Sequence, residues 1–304
     1  MSEHHHDGHT HGVAPDADAG RLAIALGLIV GFMVVEVAVG IIASSLALLA
    51  DAGHMLTDAA ALGLSLLAVR LARRPAKGAM TFGFKRAEIL SAQFNGATLL
   101  VLALLIVYGA IRRLILPAEV KGGAVLAVAL AGIAVNLAAT WTLSRANRTS
   151  MNVEGAFQHI VTDLIAFIAT AIAGAVVLAT GFDRADGIAS LVVAAIMLWA
   201  SWRLLRESGR VFLEAAPRGV DPDQIGRAMA AQPGVVEVHD LHVWEVTSGF
   251  PALSAHVLVA SDADCHAARW SLETMLSERF GLEHTTLQVD HEGGRLIQIQ
   301  TGDG

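Results

Sequence analysis

The sequence predicts an α-helical membrane protein: six spanning helices followed by a small cytoplasmic α+β domain in the order αββαβ. Three observations predict it. Of the 304 residues 54% are hydrophobic and only 16% charged, and the mean hydropathy is +0.57, well outside the composition of soluble domains. Six windows, roughly 21–43, 46–70, 88–115, 122–144, 155–180 and 185–205, each supply the approximately 20 mainly apolar residues that crossing a bilayer requires. After about residue 207 the apolar runs end and the hydrophobic period shortens to that of strands.

The segments ahead of and between the windows set the orientation. Arg and Lys gather in the N-terminal segment (Arg21), in the 70–86 loop (Arg70, Arg73, Arg74, Lys77, Lys85, Arg86), at Arg145 and Arg148, and after residue 202 (Arg203, Arg206, Arg210). The opposite side carries only Arg112, Arg113, Lys121 and Arg184. The richer side is cytoplasmic by the positive-inside rule, which places both termini there; the chain is expected to be a multi-pass protein of the plasma (inner) membrane. The start MSEHHHDGHTHGVAPDADAG is polar and acidic, unlike a secretory signal peptide. Residues 1–20 are expected to be a disordered tail, because five histidines among polar residues (His4, His5, His6, His9, His11) build no core. That tract is expected to bind metal loosely. A net charge of −7 with no basic tract excludes a nucleic-acid partner, and the single Cys265 excludes an intramolecular disulfide.

Inside the apolar region, residues 21–206, two histidines each have an aspartate four residues later: His54 with Asp58, and His159 with Asp163. None of the other eleven histidines does. Residues four apart share a helix face, so each pair presents an imidazole beside a carboxylate. Together they supply two nitrogens and two oxygens, a tetrahedral set suited to Zn2+ or a similar borderline ion. Ionisable groups in hydrocarbon are costly unless paired, so such pairs point to function. The alternative is a local hydrogen bond buried within each span for structure.

The second and fifth spans run in opposite directions. The two pairs meet only if these helices pack as antiparallel neighbours, which the small residues Ala52, Gly53, Ala59, Gly155 and Ala156 permit. Asp51, one turn before His54, either orients that imidazole or faces interfacial water. Glu36 in the first span either faces the same cavity, serves as a proton relay, or packs and snorkels.

SLALLADAGHMLTDAAALGLSLLA at 45–68, FGFKRAEILSAQFNG at 82–96 and NVEGAFQHIVTDLIAFIATAIAG at 152–174 resemble the cation diffusion facilitator family, in its zinc-transporting branch. The resemblance runs from about residue 20 to 292, with the motifs in family order. It implies a homodimeric metal/proton antiporter with six spans and a cytoplasmic ferredoxin-like domain. The family's transport site carries over onto His54, Asp58, His159 and Asp163. Some members have aspartate in place of the first histidine, and the His54 version resembles the more zinc-selective ones.

Charge accounting agrees with that implication. Two aspartates carrying −2 are neutralised by one divalent ion, and an empty site needs protons instead. A histidine must lose its proton to bind metal, so metal and protons compete. The expected substrate is Zn2+, with Cd2+, Co2+ and Fe2+ as the other candidates, whereas hard ions need more oxygens than this site offers.

In residues 207–304, expected to serve metal binding and dimerisation, Asp221-Pro222 opens a short helix to about 231. VVEVHDLHVWEV (235–246), ALSAHVLVA (252–260) and HTTLQVDH (284–291) read as strands. Asp262 to Phe280 reads as an amphipathic helix closed by Gly281. Alternation places Val236 and Val238 opposite Glu237 and His239, Leu253, Ala255 and Val257 opposite Ser254 and His256, and Leu287 and Val289 opposite Gln288 and Asp290. His239, His256 and Asp290 therefore fall on the open face of the sheet, available to metal or to a dimer partner. The resemblance implies a regulatory Zn2+ site on His239, His256 and Asp290, with His284 a further candidate. The alternative is ordinary polar surface. The terminal Cys pair of some relatives is absent.

Two other classes compete. An intramembrane zinc hydrolase needs an open coordination position and a general base, but the chain has no H-E-x-x-H and its four ligands fill a tetrahedron. A membrane-anchored metal sensor leaves both intramembrane pairs unexplained. The sequence thus predicts a transporter and no enzyme.

Overall fold

The computed structural model describes residues 30–144 and 151–292, with side chains described except at 62, 66, 139–144 and 151–162. The His-rich tail and the side chain of His159 lie outside the described residues. The chain forms two compact units. One comprises the described residues up to Ala60 together with Ala97–Trp202, and the other Ala61–Gly96 together with the residues from Arg203 onward.

Six long or apolar helices account for the hydrophobic windows: α1 (Val30–Ile42), α2 (Leu46–Ala72), α3 (Ala87–Ile115), α4 (Gly122–Ser144), α5 (Met151–Thr180) and α6 (Arg184–Phe212). Among the described residues four stretches are long and apolar enough to cross a membrane: α2, α3, Asp163–Thr180 of α5, and α6. Val30–Ile42 and Gly122–Ala138 are shorter apolar helices. The first expected window begins before Val30, outside the described residues. Large apolar side chains such as Ile41, Leu105, Ile172 and Leu178 are exposed, as lipid-facing positions require.

In the first unit α1 ends where Ser44 turns into the left-handed region at φ 54°, closed by Ser45 N–H donating to the Gly40 carbonyl at 2.9 Å. The Ser45 hydroxyl then accepts from Leu48 N–H at 3.2 Å, capping α2. The remaining free amides of that helix end are met by Asp186, from the first turn of α6. Its carboxylate accepts from Leu46 N–H at 2.8 Å and Ala47 N–H at 3.3 Å, and from the Ser45 hydroxyl. Arg113, in the last turn of α3, pairs with the same carboxylate at 2.8 Å and donates to the Ser44 carbonyl. Asp186 is buried, at 1% exposure, yet every lone pair of its charge is engaged. One residue thereby fixes the ends of α2, α3 and α6.

Close helix approach positions α5. A Cβ on Gly122 would lie 2.6 Å from the Leu178 amide nitrogen, and one on Gly174 would lie 2.7 Å from that of Leu126, so the backbones of α4 and α5 touch. Phe167, one turn beyond Asp163 on α5, is 1% exposed and packs edge-on to Phe32 of α1 with centroids 5.6 Å apart. Its ring also fills the space above Gly132 of α4, where a Cβ would fall 2.4 Å from a ring carbon.

In the second unit the C-terminal domain has the expected order: α7 (Pro222–Ala230), β1 (Val235–Thr247), β2 (Phe250–Val259), α8 (Cys265–Phe280) and β3 (His284–His291). β1 and β2 pair antiparallel as a hairpin, and β2 and β3 pair parallel with α8 as the crossover, giving the order β1-β2-β3. Ile225 and Met229 of α7 and Leu272 and Leu276 of α8 pack with Val243, Leu253, Ala255 and Val257 in one core, so both helices cover the same face. Asp221 caps α7, with Pro222 in its first turn. α8 starts three residues later than Asp262 because Asp264 is its cap, accepting from His266 and Ala267 N–H at 2.8 and 3.1 Å. Those amides, Ala267 foremost, hold its carboxyl below the usual carboxylate range. Its capping contribution is therefore present above the ordinary carboxylate pKa and is lost as pH falls through the lowered one.

One expectation for β1 is corrected. Register shifts interrupt the pairing at Val235/Glu237, His239/His242 and Glu245/Thr247, so strict alternation fails. Val236, expected on the core face with Val238, is 49% exposed, and Val235 packs against the core in its place.

The Asp186 hub yields a prediction. Asp186→Ala leaves the Arg113 guanidinium and two α2 amides without their acceptor, and is expected to cost about 3 kcal/mol or more. Thermal unfolding in detergent, followed by size-exclusion recovery, measures it; an unchanged transition temperature contradicts the assignment.

Candidate metal centre

Asp51, His54 and Asp58 follow one another along a single face of α2, at spacings of three and four. His54 is 5% exposed. Its Nδ1 lies 3.6 Å from Asp58 Oδ2 of the same helix, and its Nε2 lies 3.8 Å from Asp163 Oδ1 of α5. The imidazole thus stands between two carboxylates from two helices. Three of the four residues expected to form the site converge, and the side chain of His159 lies outside the described residues. The backbone of α5 carries His159 one helical turn before Asp163, on the same helix face.

These separations suit ion exchange. Donor atoms on one tetrahedral Zn2+ at about 2.0–2.1 Å stand roughly 3.3–3.4 Å apart, so His54 and either one of the two aspartates can share an ion after a small movement, while bringing the second aspartate onto the same ion requires the imidazole to turn. Only one ring nitrogen of His54 can bind a given metal, which leaves the other facing a carboxylate that orients it.

Asp51 is 1% exposed, so the expectation that it faces interfacial water does not hold. It does not hydrogen-bond His54 either: neither carboxyl oxygen has a hydrogen-bond partner among the described residues. Its neighbour is Glu36 of α1, which is fully buried.

In the C-terminal domain the hairpin register sets His239 of β1 opposite His256 of β2, with ring centroids 5.2 Å apart. Asp240 joins them. Its Oδ2 lies 3.3 Å from His239 Nδ1 and 3.7 Å from His256 Nδ1, and one ligand atom from each residue falls within 4.8 Å of the others. Among the described residues this is the one group of three or more such donors that close.

Asp240 had no place in the sequence-based set, because alternation sends it to the face opposite His239. The structure turns it back by a bulge: Asp240 sits at φ 50°, a left-handed conformation that short polar residues tolerate. The available signal was weak, an aspartate following a strand histidine.

Asp290 and His284 stand apart from this trio. Asp290 lies opposite Leu258 and accepts from Gln288 Nε2 at 2.8 Å. His284 lies opposite Ala252 at the other end of β3. Its ring packs against Phe250 at 5.4 Å and Phe82 at 5.7 Å, and Lys85 covers the Phe250 ring at 3.6 Å. The resemblance had grouped His284 with His239 and His256, but four residues of extended strand separate it from Gln288, the partner of His256.

Helical spans carrying buried His and Asp, joined to an αββαβ domain, define a membrane cation carrier, and comparison with known proteins agrees. The pattern of cation efflux transmembrane domains matches residues 22–213, and that of the cytoplasmic domain of cation efflux proteins matches residues 217–292. The zinc transporter ZitB of Shigella flexneri is 40% identical over 291 residues, covering 95% of this chain and 93% of that protein. The metal cation efflux system protein CzcD of Cupriavidus metallidurans is 37% identical, covering 93% and 90%. A cadmium, cobalt and zinc/H(+)-K(+) antiporter of Bacillus velezensis is 34% identical, covering 97% of each chain. The chain belongs to the cation efflux family, the cation diffusion facilitators, in its zinc branch. It is a membrane transporter of divalent metal cations and not an enzyme.

Proposed function

We propose that this chain exports Zn2+ from the cytoplasm in exchange for protons, binding the ion with His54, Asp58, His159 and Asp163. The observation that carries the reading is the placement of His54 of α2 between Asp58 and Asp163 of α5. An imidazole and two carboxylates meeting below the surface of a helical unit suit a borderline divalent ion. One such ion cancels the charge of two aspartates, and protons replace it when it leaves. The zinc transporter ZitB and the cadmium, cobalt and zinc/H(+)-K(+) antiporter among the relatives support both the ion and the exchange. The second of those names also favours Cd2+ and Co2+ as further substrates.

The reading includes six spans, both termini on the cytoplasmic side of the plasma (inner) membrane, and a homodimer. The distribution of Arg and Lys supports the orientation. The sheet face left uncovered by α7 and α8 supports pairing of two copies. On that face His239, Asp240 and His256 form a regulatory Zn2+ site, with Asp240 supplying the oxygen that the resemblance assigned to Asp290.

Two measurements test the reading. In inside-out vesicles with an imposed pH gradient, Asp163→Ala is expected to reduce Zn2+ uptake to the level of empty vesicles while the protein still elutes as a folded species; full uptake contradicts the site. For the C-terminal site, Co2+ absorption of the purified chain carrying His54→Ala and lacking residues 2–12 reports the trio without the transport-site imidazole or the His-rich tract. Asp240→Ala is then expected to weaken Co2+ binding by about tenfold or more, since a lost ligand matters at least as much as a lost orienting partner. His284→Ala should leave it unchanged, and the reverse order of effects moves the metal to His284 at the start of β3.

A further inference from the structure

Between Asp58 and Glu88 the chain has no acidic residue, yet it carries six basic ones: Arg70, Arg73, Arg74, Lys77, Lys85 and Arg86. The net charge of the whole chain is −7, so this is a local concentration of positive charge. All six stand at the end of α2 or in the loop that joins it to α3. Two are engaged within the second unit, Arg86 with Glu214 at 3.2 Å and Lys85 over the Phe250 ring at 3.6 Å. Arg70, Arg73, Arg74 and Lys77 are exposed, and no acid among the described residues pairs with them.

The loop carries these charges on an ordered frame. Lys77 and Met80 exchange both backbone hydrogen bonds at 3.2 Å, and Gly83, at φ 66°, turns so close that a Cβ there would lie 3.0 Å from the Arg74 carbonyl oxygen. The same frame presents large apolar side chains: Met80 is 50% and Phe84 40% exposed, although neither belongs to a span. Arg86 ties the loop to Glu214, two residues beyond the end of α6. That helix approaches its end with exposed Trp199 and Trp202 followed by exposed Arg206, the aromatic-to-basic order of a membrane–water boundary. Water satisfies free cations but not exposed Met and Phe. Cations and apolar side chains together suit the headgroup layer, where phosphates and acyl chains meet.

We propose that the loop between α2 and α3 is a binding surface for anionic phospholipid, with Arg70, Arg73, Arg74 and Lys77 meeting the headgroup phosphate and Met80 and Phe84 meeting the acyl chains. It is independent of both metal centres and of the exchange of metal for protons. Each guanidinium donates paired N–H bonds to phosphate oxygens, and Lys77 adds a point charge. A zwitterionic lipid brings its own ammonium to the phosphate, so the partner this surface selects has a net negative headgroup. A soluble polyanion would meet the charges but leave Met80 and Phe84 in water. Lipid held here anchors the connection between α2, which carries His54 and Asp58, and α3 at the membrane surface.

Titrating the purified full chain in a neutral detergent with phosphatidylglycerol and with phosphatidylcholine, each carrying the same fluorescent acyl chain, tests this. The unaltered chain is expected to prefer phosphatidylglycerol, and high salt to abolish that preference, a reading that needs no variant. Arg73→Gln/Arg74→Gln/Lys77→Gln should weaken phosphatidylglycerol by about a hundredfold, at roughly fivefold for each basic residue near a membrane surface, and leave phosphatidylcholine unchanged. The same charge removed from the C-terminal domain, in Arg227→Gln/Arg269→Gln/Arg279→Gln, should leave both unchanged. Met80→Ser/Phe84→Ser, which keeps every charge, should weaken phosphatidylglycerol by about tenfold. Equal affinity for the two lipids in the unaltered chain overturns the proposal, as does equal loss in the two triple variants. Displacement of the lipid by excess inorganic phosphate, or full affinity in Met80→Ser/Phe84→Ser, makes the loop a plain anion site and overturns it as well.

Discussion

A charge placed in low dielectric must be compensated where it sits, and the membrane-spanning unit is organised around three ways of meeting that constraint. Asp186 meets it completely: a guanidinium, a hydroxyl and two helix-end amides satisfy its carboxylate, and it behaves as a fixed joint between α2, α3 and α6. His54 lies between Asp58 and Asp163 at separations too long for hydrogen bonds, so the compensation there can be exchanged. Glu36 and Asp51 have no protein counter-charge among the described residues. Buried acids in this unit thus range from the fully engaged Asp186 to Glu36 and Asp51, which no Lys or Arg among the described residues pairs with.

The rest of the packing serves that arrangement. Glycines at 122, 132 and 174 remove the side chains that would hold α5 away from α4, and Phe167 fills the space so created. Phe167, one turn beyond Asp163, is held by Phe32 and by the space at Gly132, which fixes this turn of α5 against α1 and α4. Close approach of α4 and α5 here comes from small residues and one aromatic wedge, because lipid offers helices no hydrophobic drive to associate.

In the C-terminal domain the same need for placement is met by a strand irregularity. A regular β1 would put Asp240 on the helix-covered face beside the apolar core. The bulge after His239 brings it instead beside two imidazoles that the hairpin register has already set opposite each other. His284, on the same sheet, takes an aromatic role against Phe82 and Phe250, so histidines of one sheet serve two purposes.

By itself the sequence determined the elements and much of the chemistry. Apolar run length gave the hydrophobic helices, residue spacing gave the His-Asp pair on α2, and period-two patterning with Asp-Pro and Gly punctuation gave αββαβ. Each of these is a local property, written within a few residues by periodicity and cap chemistry. Convergence was beyond it. That Asp163 faces His54, that Asp51 turns from His54 to Glu36, that Asp240 joins His239 and His256 while His284 does not, all depend on helix approach and strand register. Those are fixed by contacts between residues more than a hundred positions apart, as with Asp163 and His54, or by a single backbone angle such as φ at Asp240, and no local pattern encodes either.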